Sequence, residues 1–368
     1  MSTEEFSFSD HSHRRFNPLT RTWVLCSPHR AKRPWLGQVE EAADEQRPPH
    51  DPRCYLCPGN TRATGEQNAT YTSTYVFAND YAAVHAKQPD CSPHALAQIA
   101  GEASDLFQVK STRGQCKVVC FSPRHDLTLP ELPLDDICQI VRAWQDIYVE
   151  LSADASIGYV QIFENKGAMM GCSNPHPHGQ VWALSEVPSE PATEIESFKA
   201  FKSTHAGSCL LCTYVEAEVS NAASSSANRI VVQNASFVAL VPFWALWPFE
   251  TMVVARSHVP DVAKLSAEHT RDLAAVLQEL TCRYDNVFQC SFPYSMGLHQ
   301  APTAGHPDSD ACHFHMHFYP PLLRSATVRK FLVGFEMMAE PQRDLTAEQA
   351  ASRLRAQSPV HYKKIMEH

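Results

Sequence analysis

Positive charge is scarce in this chain of 368 residues: 31 Lys and Arg stand against 40 Asp and Glu, a formal net charge of −9 with a pI near 6.1. A general nucleic-acid binder needs a basic surface, so the balance argues against that class. It does not argue against small phosphorylated ligands, because a few local groups hold them. A long unbroken apolar run is also missing. The most apolar stretch, residues 237–255, is interrupted by Pro242, Pro248 and Glu250, so it reads as strands broken by turns rather than as a membrane helix. The opening MSTEEFSFSD is acidic and lacks an apolar h-region, which predicts no secretory signal and a cytoplasmic location. What the chain does have is cysteine. Thirteen of them without such a signal predict reduced thiols available as metal ligands. Apolar residues make up 44% and charged ones 19%, a balance that suits a globular protein with large cores.

The length exceeds what one hydrophobic core usually accommodates, so two domains or two fused copies are expected. The sequence repeats itself. KVVCFSPRHDLTLPEL (117–132) has a counterpart in TMVVARSHVPDVAKLS (251–266), each an apolar strand ending near a histidine, His125 or His258, followed by a turn and a helix start. Ile137, Ile140, Trp144, Ile147 and Leu151 then fall at helical steps, with Asp135 placed to cap the start. Leu273, Val276, Leu277, Leu280 and Tyr284 do the same in the second copy. A strand-like run follows each helix, SIGYVQIF or QCSFPYSM, and then a histidine-rich strand, HPHGQVW (176–182) or HFHMHFYP (313–320). A Cys-x-x-Cys pair opens each half, Cys54/Cys57 and Cys209/Cys212. This order predicts an α+β unit with a mainly antiparallel sheet, present twice. Residues 217–228 are small and polar and read as a linker. The boundary falls between 190 and 225, taken as domains 1–195 and 196–368.

In HPHGQ an extended backbone turns His176, His178 and Gln180 to one face, and Pro175 and Pro177 disfavour helix. The plain reading is a polar strand edge or a structural metal pair. The sharper one is a nucleophilic histidine with its support: a neutral imidazole attacks phosphorus without first losing a proton, and a backbone group can fix its tautomer. Cys54 and Cys57 suit one tetrahedral zinc, with His125 and His176 as the natural further ligands. A redox dithiol competes, but the usual strand-to-helix context is missing. The second half holds His299, His306, His313, His315 and His317, and alternation puts the last three on one face. Either half can therefore hold the nucleophile. A metal site built from His299, His315, His317 and one carboxylate fits equally well. Basic residues gather in SPHRAKRPW (27–35) and SATVRKF (325–331). Such runs are usually solvated surface, but beside a phosphoryl site Arg30, Arg33 and Lys330 would attract an anion.

The stretches RRFNPLTRTWVLCSPHRAKRPW, CYLCPGNTRATGE, FENKGAMMGCSNPHPHGQVWA, FPYSMGLHQAP and HFYPPLLRSATVRKFLVGFEM, in this order over residues 11 to 356, resemble the galactose-1-phosphate uridylyltransferase family. That family is a duplicated branch of the histidine-triad superfamily. The resemblance implies a ping-pong exchange in which UDP-glucose and galactose-1-phosphate give glucose-1-phosphate and UDP-galactose, with His178 carrying UMP covalently and Gln180 bonded to the phosphoryl oxygens. It implies structural zinc on Cys54, Cys57, His125 and His176, and a second metal, iron or zinc, on Glu194, His299, His315 and His317. UDP-sugar contacts carry over to Ala63, Asn79, Asp80, Asn165, Gly171, Cys172, Ser173, Lys330, Phe331, Phe335, Glu336 and Gln342. Arg30 and Arg33 match arginines that reach across a homodimer.

There are departures. Ala63 stands where some relatives have Val and Phe335 where some have Tyr. Cys209 and Cys212 are absent from some relatives and leave room for an extra metal site, which the repeat would complete with His258. A phosphorylase or nucleotidyl hydrolase of the same superfamily is the alternative enzyme. A zinc-stabilised binding module is the non-catalytic one, disfavoured by the acidic charge and by Cys-to-His spacings too long for a nucleic-acid finger.

Overall fold

The computed structural model describes residues 5–32, 47–100, 106–224, 227–303, 305–323, 329–330 and 332–366. Arg33 and Phe331 lie outside them, and Lys330 is placed by its backbone alone. The strands are β1 (His13–Asn17), β2 (Thr22–Cys26), β3 (Tyr75–Ala78), β4 (Gly114–Cys120), β5 (Tyr159–Lys166), β6 (His178–Leu184) and β7 (Ile230–Gln233). They continue with β8 (Phe237–Leu240), β9 (Thr251–Ala255), β10 (Tyr294–His299), β11 (His315–Tyr319), β12 (Leu322–Leu323), β13 (Arg329–Lys330) and β14 (Gln342–Arg343). The helices are α1 (Pro93–Ala100), α2 (Leu134–Ser152), α3 (Ser189–Thr204), α4 (Leu210–Asn221), α5 (Ala267–Phe288), α6 (Phe335–Met338), α7 (Ala347–Arg355) and α8 (Tyr362–Met366). None is long and apolar enough to cross a membrane among the described residues.

One nine-stranded sheet dominates, in the order β3-β4-β6-β5-β10-β11-β9-β8-β7. Every pairing within it is antiparallel. The order is a palindrome of the repeat: β3-β4-β6-β5 from the first copy meets β10-β11-β9-β8 from the second, with β7 added outside. The expected α+β fold of two repeats is thus present, but the copies share one sheet. They meet at β5 and β10, where Lys166 opposes Tyr294 and Ile162 opposes Leu298. A separate three-stranded sheet, β1-β2-β14, joins the two ends of the chain.

The helices follow the apolar periodicity. Ile137, Ile140, Trp144, Ile147 and Leu151 of α2 are all buried, as are Leu273, Val276, Leu277, Leu280 and Tyr284 of α5. The two helices pack together, and residues of both copies fill one core. Asp135 does not cap α2. Pro133 holds that position without a side-chain bond, and Asp135 lies in the first turn, 3.0 Å from Arg271 of α5, where the helix dipole favours its charge. The α5 start is capped as such starts usually are, by Ser266 accepting from the His269 N–H at 3.1 Å. The linker expectation also needs correction, because residues 217–221 complete α4. The buried Glu218 pairs with Arg229 at 2.9 Å, a tertiary contact that outweighs the loop-like composition.

Candidate active site and metal clusters

Strand β6 runs between β4 and β5, so its side chains share a face with those opposite: His178 with Cys120, and Gln180 with Val118 and Phe163. Gly179 separates the two because nothing larger fits. A Cβ there would stand 2.9 Å from Phe121 Cζ and 3.0 Å from the Phe163 carbonyl oxygen. His178 Nδ1 lies 2.7 Å from the His176 carbonyl oxygen. A carbonyl only accepts, so Nδ1 carries the proton and Nε2 keeps its lone pair. Burial lowers the pKa of His178 against the opposing pull of that carbonyl, which keeps the ring neutral. Gln180 is oriented by Trp182, whose indole N–H donates to Oε1 at 3.2 Å. An indole nitrogen only donates, so the amide oxygen is committed there and the NH₂ is what Gln180 can offer a ligand.

His178 lines a cleft with Asn165, Cys172, Ser173, Lys166 and Arg47. The first three were expected. Gly171 sits just behind them in the left-handed region, φ 79°, closing the turn that delivers Cys172. Asn165 accepts from the Ser295 hydroxyl at 2.6 Å, across the seam between the copies. Arg47 and Lys166 were not singled out from the sequence. Arg47 donates to the Pro175 carbonyl at 3.3 Å, which brings a cation to the HPHGQ turn. Lys166 is buried and bonds Asp285 of α5 at 2.7 Å. Its neighbour across the cleft wall, Glu164, is pushed up to about 7 by burial, against the pull of Lys166 and of the Tyr294 hydroxyl.

Three clusters of possible metal ligands occur among the described residues. In the first, Cys54 and Cys57 come from a loop, His125 from beyond β4, and His176 from just before β6. Cys57 Sγ is 3.6 Å from His125 Nδ1 and 3.5 Å from His176 Nδ1. A tetrahedral zinc with bonds of about 2.3 Å to sulfur and about 2.0 Å to nitrogen needs ligand edges of roughly 3.5 Å, so the donor set fits. His176 Nε2 bonds the Ser122 carbonyl oxygen at 2.9 Å, which leaves Nδ1 as the free lone pair.

In the second, α3 delivers the buried Glu194, and the β10–β11 register sets His299 directly opposite His315. Glu194 lies 2.8 Å from His299 Nδ1 and 3.3 Å from Nε2 of both His315 and His317. One carboxylate and three imidazoles suit a divalent transition metal. His313 does not join His315 and His317, as alternation had suggested. It precedes β11 and faces the Cys209 and Cys212 thiols.

The profile of the galactose-1-phosphate uridyl transferase N-terminal domain matches residues 4–188, and that of the C-terminal domain matches residues 194–366. This chain belongs to the galactose-1-phosphate uridylyltransferase family. A galactose-1-phosphate uridylyltransferase of Saccharomyces cerevisiae is 52% identical over 98% of this chain and 99% of its own length. One of Haemophilus influenzae is also 52% identical, over 98% and 99%. The solved structure of a uridylyltransferase superposes with a TM-score of 0.70 and 29% identity, covering 94% of this chain and 98% of that one.

Of the remaining contacts suggested by the uridylyltransferase resemblance, the described ones are not among the residues lining the cleft immediately around His178. Ala63, Asn79 and Asp80 gather beyond the β3 edge, where Asp80 pairs with Arg62 at 3.5 Å. Arg30, Glu336 and Gln342 form another group on and beside the small sheet. Arg30 lies 3.5 Å from Asp344, Gln342 donates to Asp344 at 2.6 Å, and Glu336 accepts from Arg343 at 2.8 Å. Phe335 next to them is exposed.

Proposed function

We propose that the chain transfers UMP from UDP-glucose to galactose-1-phosphate with His178 as the covalent carrier. The observation that carries this reading is the His178 ring itself, fixed through Nδ1 by a backbone carbonyl and left with a free Nε2 lone pair in a cleft that also holds Arg47. In the first half, Nε2 attacks the α-phosphorus of UDP-glucose. The P–O bond to glucose-1-phosphate breaks and its electron pair leaves with that oxygen, so the leaving group needs no proton. In the second half, a phosphate oxygen of galactose-1-phosphate attacks the same phosphorus, and the N–P electron pair returns to Nε2. The Gln180 NH₂ donates to the phosphoryl oxygens as charge builds there. Asn165, Gly171, Cys172 and Ser173 hold the nucleotide sugar. Because each half-reaction stands alone, labelled glucose-1-phosphate should exchange into UDP-glucose with no galactose-1-phosphate present. Full activity in the complete mixture without exchange would mean direct transfer and overturn the covalent route.

The first cluster holds zinc in this reading, and zinc there supplies a cross-link between the Cys54 loop and the backbone that ends in His178. Cys54→Ser should lose about one zinc per chain and melt roughly 5 °C lower or more. A variant that loses zinc and melts unchanged would contradict a structural role. The second cluster takes iron or zinc. Its carboxylate ligand, Glu194, precedes the 195/196 division, so the C-terminal domain (196–368) borrows one ligand from the nucleophile-bearing domain (1–195). The grouping of Arg30, Phe335, Glu336 and Gln342 apart from the residues that line the cleft supports a homodimer in which they serve the partner's cleft, and the family resemblance adds Arg33, Lys330 and Phe331 to that set. Thirteen cysteines suited to a reducing environment support a cytoplasmic location.

Gln180 sets the fate of the intermediate. Glutamine does not titrate, so it cannot act as a general base on water. Gln180→His should slow transfer and raise UMP release relative to UDP-galactose formation by roughly tenfold. A slower variant with unchanged partitioning would confine Gln180 to positioning.

A further inference from the structure

We propose that Cys209, Cys212, His258 and His313 form a third metal site, a Cys₂His₂ zinc centre in the second repeat. The sequence suggests three of these residues, and the fold adds His313. Their ligand atoms all lie within 4.8 Å of one another. His313 Nδ1 is 3.3 Å from Cys209 Sγ and 3.5 Å from Cys212 Sγ, close to the roughly 3.5 Å edge of a tetrahedral zinc.

The site repeats the arrangement of the first. His313 and His176 each stand two residues before the histidine that opens the next strand. Each turns Nε2 to a main-chain carbonyl near the end of the strand alongside, Ala255 at 2.8 Å and Ser122 at 2.9 Å. Each therefore presents an unprotonated Nδ1 to a pair of thiols. The second imidazole follows the same rule: His258, in the turn after β9, contacts the Asp310 carbonyl through Nε2 at 3.2 Å. The ring centroids of His258 and His313 are 5.4 Å apart, against 5.6 Å for His125 and His176. Cys209 and Cys212 sit at the start of α4, a twelve-residue helix, where the helix dipole favours thiolates. That placement alone would also suit a redox dithiol. Two imidazole lone pairs aimed at the sulfurs, one from the fully buried His313, are what a metal requires and a dithiol does not.

The test uses the full-length protein after dialysis against zinc, alkylated without denaturation and mapped by mass spectrometry. The exposed Cys91 serves as the internal control. Cys209 and Cys212, although part-exposed, should react at least about tenfold more slowly than Cys91, because a coordinated thiolate is no longer a free nucleophile. Stripping zinc with a chelator should release both. Cys209→Ser/Cys212→Ser should contain about one zinc less per chain than wild type, with Cys54 and Cys57 still protected. Alkylation of Cys209 and Cys212 as fast as Cys91 would overturn the proposal, as would recovery of the pair as a disulfide or an unchanged zinc content in the variant. If that variant does not fold, the wild-type alkylation pattern decides.

Discussion

His178→Asn should lower uridylyl transfer by at least about 10⁴-fold, or roughly 5.5 kcal/mol of transition-state stabilisation, and remove the glucose-1-phosphate exchange entirely. Asparagine is close enough in shape to occupy the first position of β6, and its amide N–H can still donate to the His176 carbonyl that now receives Nδ1. The strand, Gly179 and the Cys54, Cys57, His125 and His176 cluster are therefore left in place. What disappears is the Nε2 lone pair of His178; His176, which also lines the cleft, turns its Nδ1 to Cys57 instead. Metal content and melting temperature should stay within error of wild type, which separates lost chemistry from lost folding. His176→Asn makes the opposite comparison: it removes one member of the proposed zinc cluster and should cost zinc and stability first. A His178→Asn enzyme within tenfold of wild type would require another carrier.

Asp285→Ala should destabilise the protein by about 3–5 kcal/mol, the penalty for stranding buried charge. Asp285 is 1% exposed and fully committed. Oδ1 accepts from Lys166 Nζ at 2.7 Å and from the Phe292 N–H at 2.9 Å, while Oδ2 lies 3.1 Å from His361 Nε2. Through these contacts one carboxylate ties α5 to the seam strand β5 and to the segment that leads into α8. Removing it leaves the Lys166 ammonium buried beside Glu164 without its closest counter-ion. Lys166→Met/Asp285→Asn, which removes the positive charge and keeps an amide acceptor, should recover more than half of the loss. Denaturant midpoints for wild type and the two variants give the comparison. Equal loss in both would place the cost in packing rather than in stranded charge.

Why Lys166 and Asp285 were not legible in advance is instructive. They are 119 residues apart, and nothing in the period of either segment says that they meet. Periodicity reports which face of its own element a residue occupies, not which distant segment arrives there. The expectation held for α2 and α5, whose apolar stripes fix their buried faces, whereas spacing alone left the second-half histidines open and Glu194 came only with the family resemblance. It failed at Asp135, because a capping residue is defined by the backbone turn before it and Pro133 had already supplied that turn. It failed at residues 217–221, where small polar side chains suggest a loop until Arg229 arrives to pair with Glu218. It failed at His313 because alternation holds only inside a strand, and β11 begins two residues later. Arg47 stands alone in sequence and acquires meaning only beside Pro175.

The two copies also share a frame with different occupants. His315 stands in β11 where His178 stands in β6, and His317 where Gln180 does. In one copy the leading imidazole keeps a free lone pair. In the other, Glu194 reaches it from α3 and gathers the same position into a cluster that could hold a metal.

The β5–β10 seam makes the continuity of the large sheet independent of dilution. A single repeat would end in an open strand edge, and a bare edge seeks another main chain to pair with. It could satisfy that need only by meeting a second molecule, at the mercy of concentration. Joined in one polypeptide, the two edges face each other at an effective concentration set by the connection between them, so the Asn165–Ser295 contact beside the cleft forms as readily in one isolated chain as in a crowded solution. The freedom this brings is evolutionary as well as physical. Edges joined in one chain need not be identical, so the same position can hold His178 facing a cleft in one copy and His315 beside a carboxylate in the other.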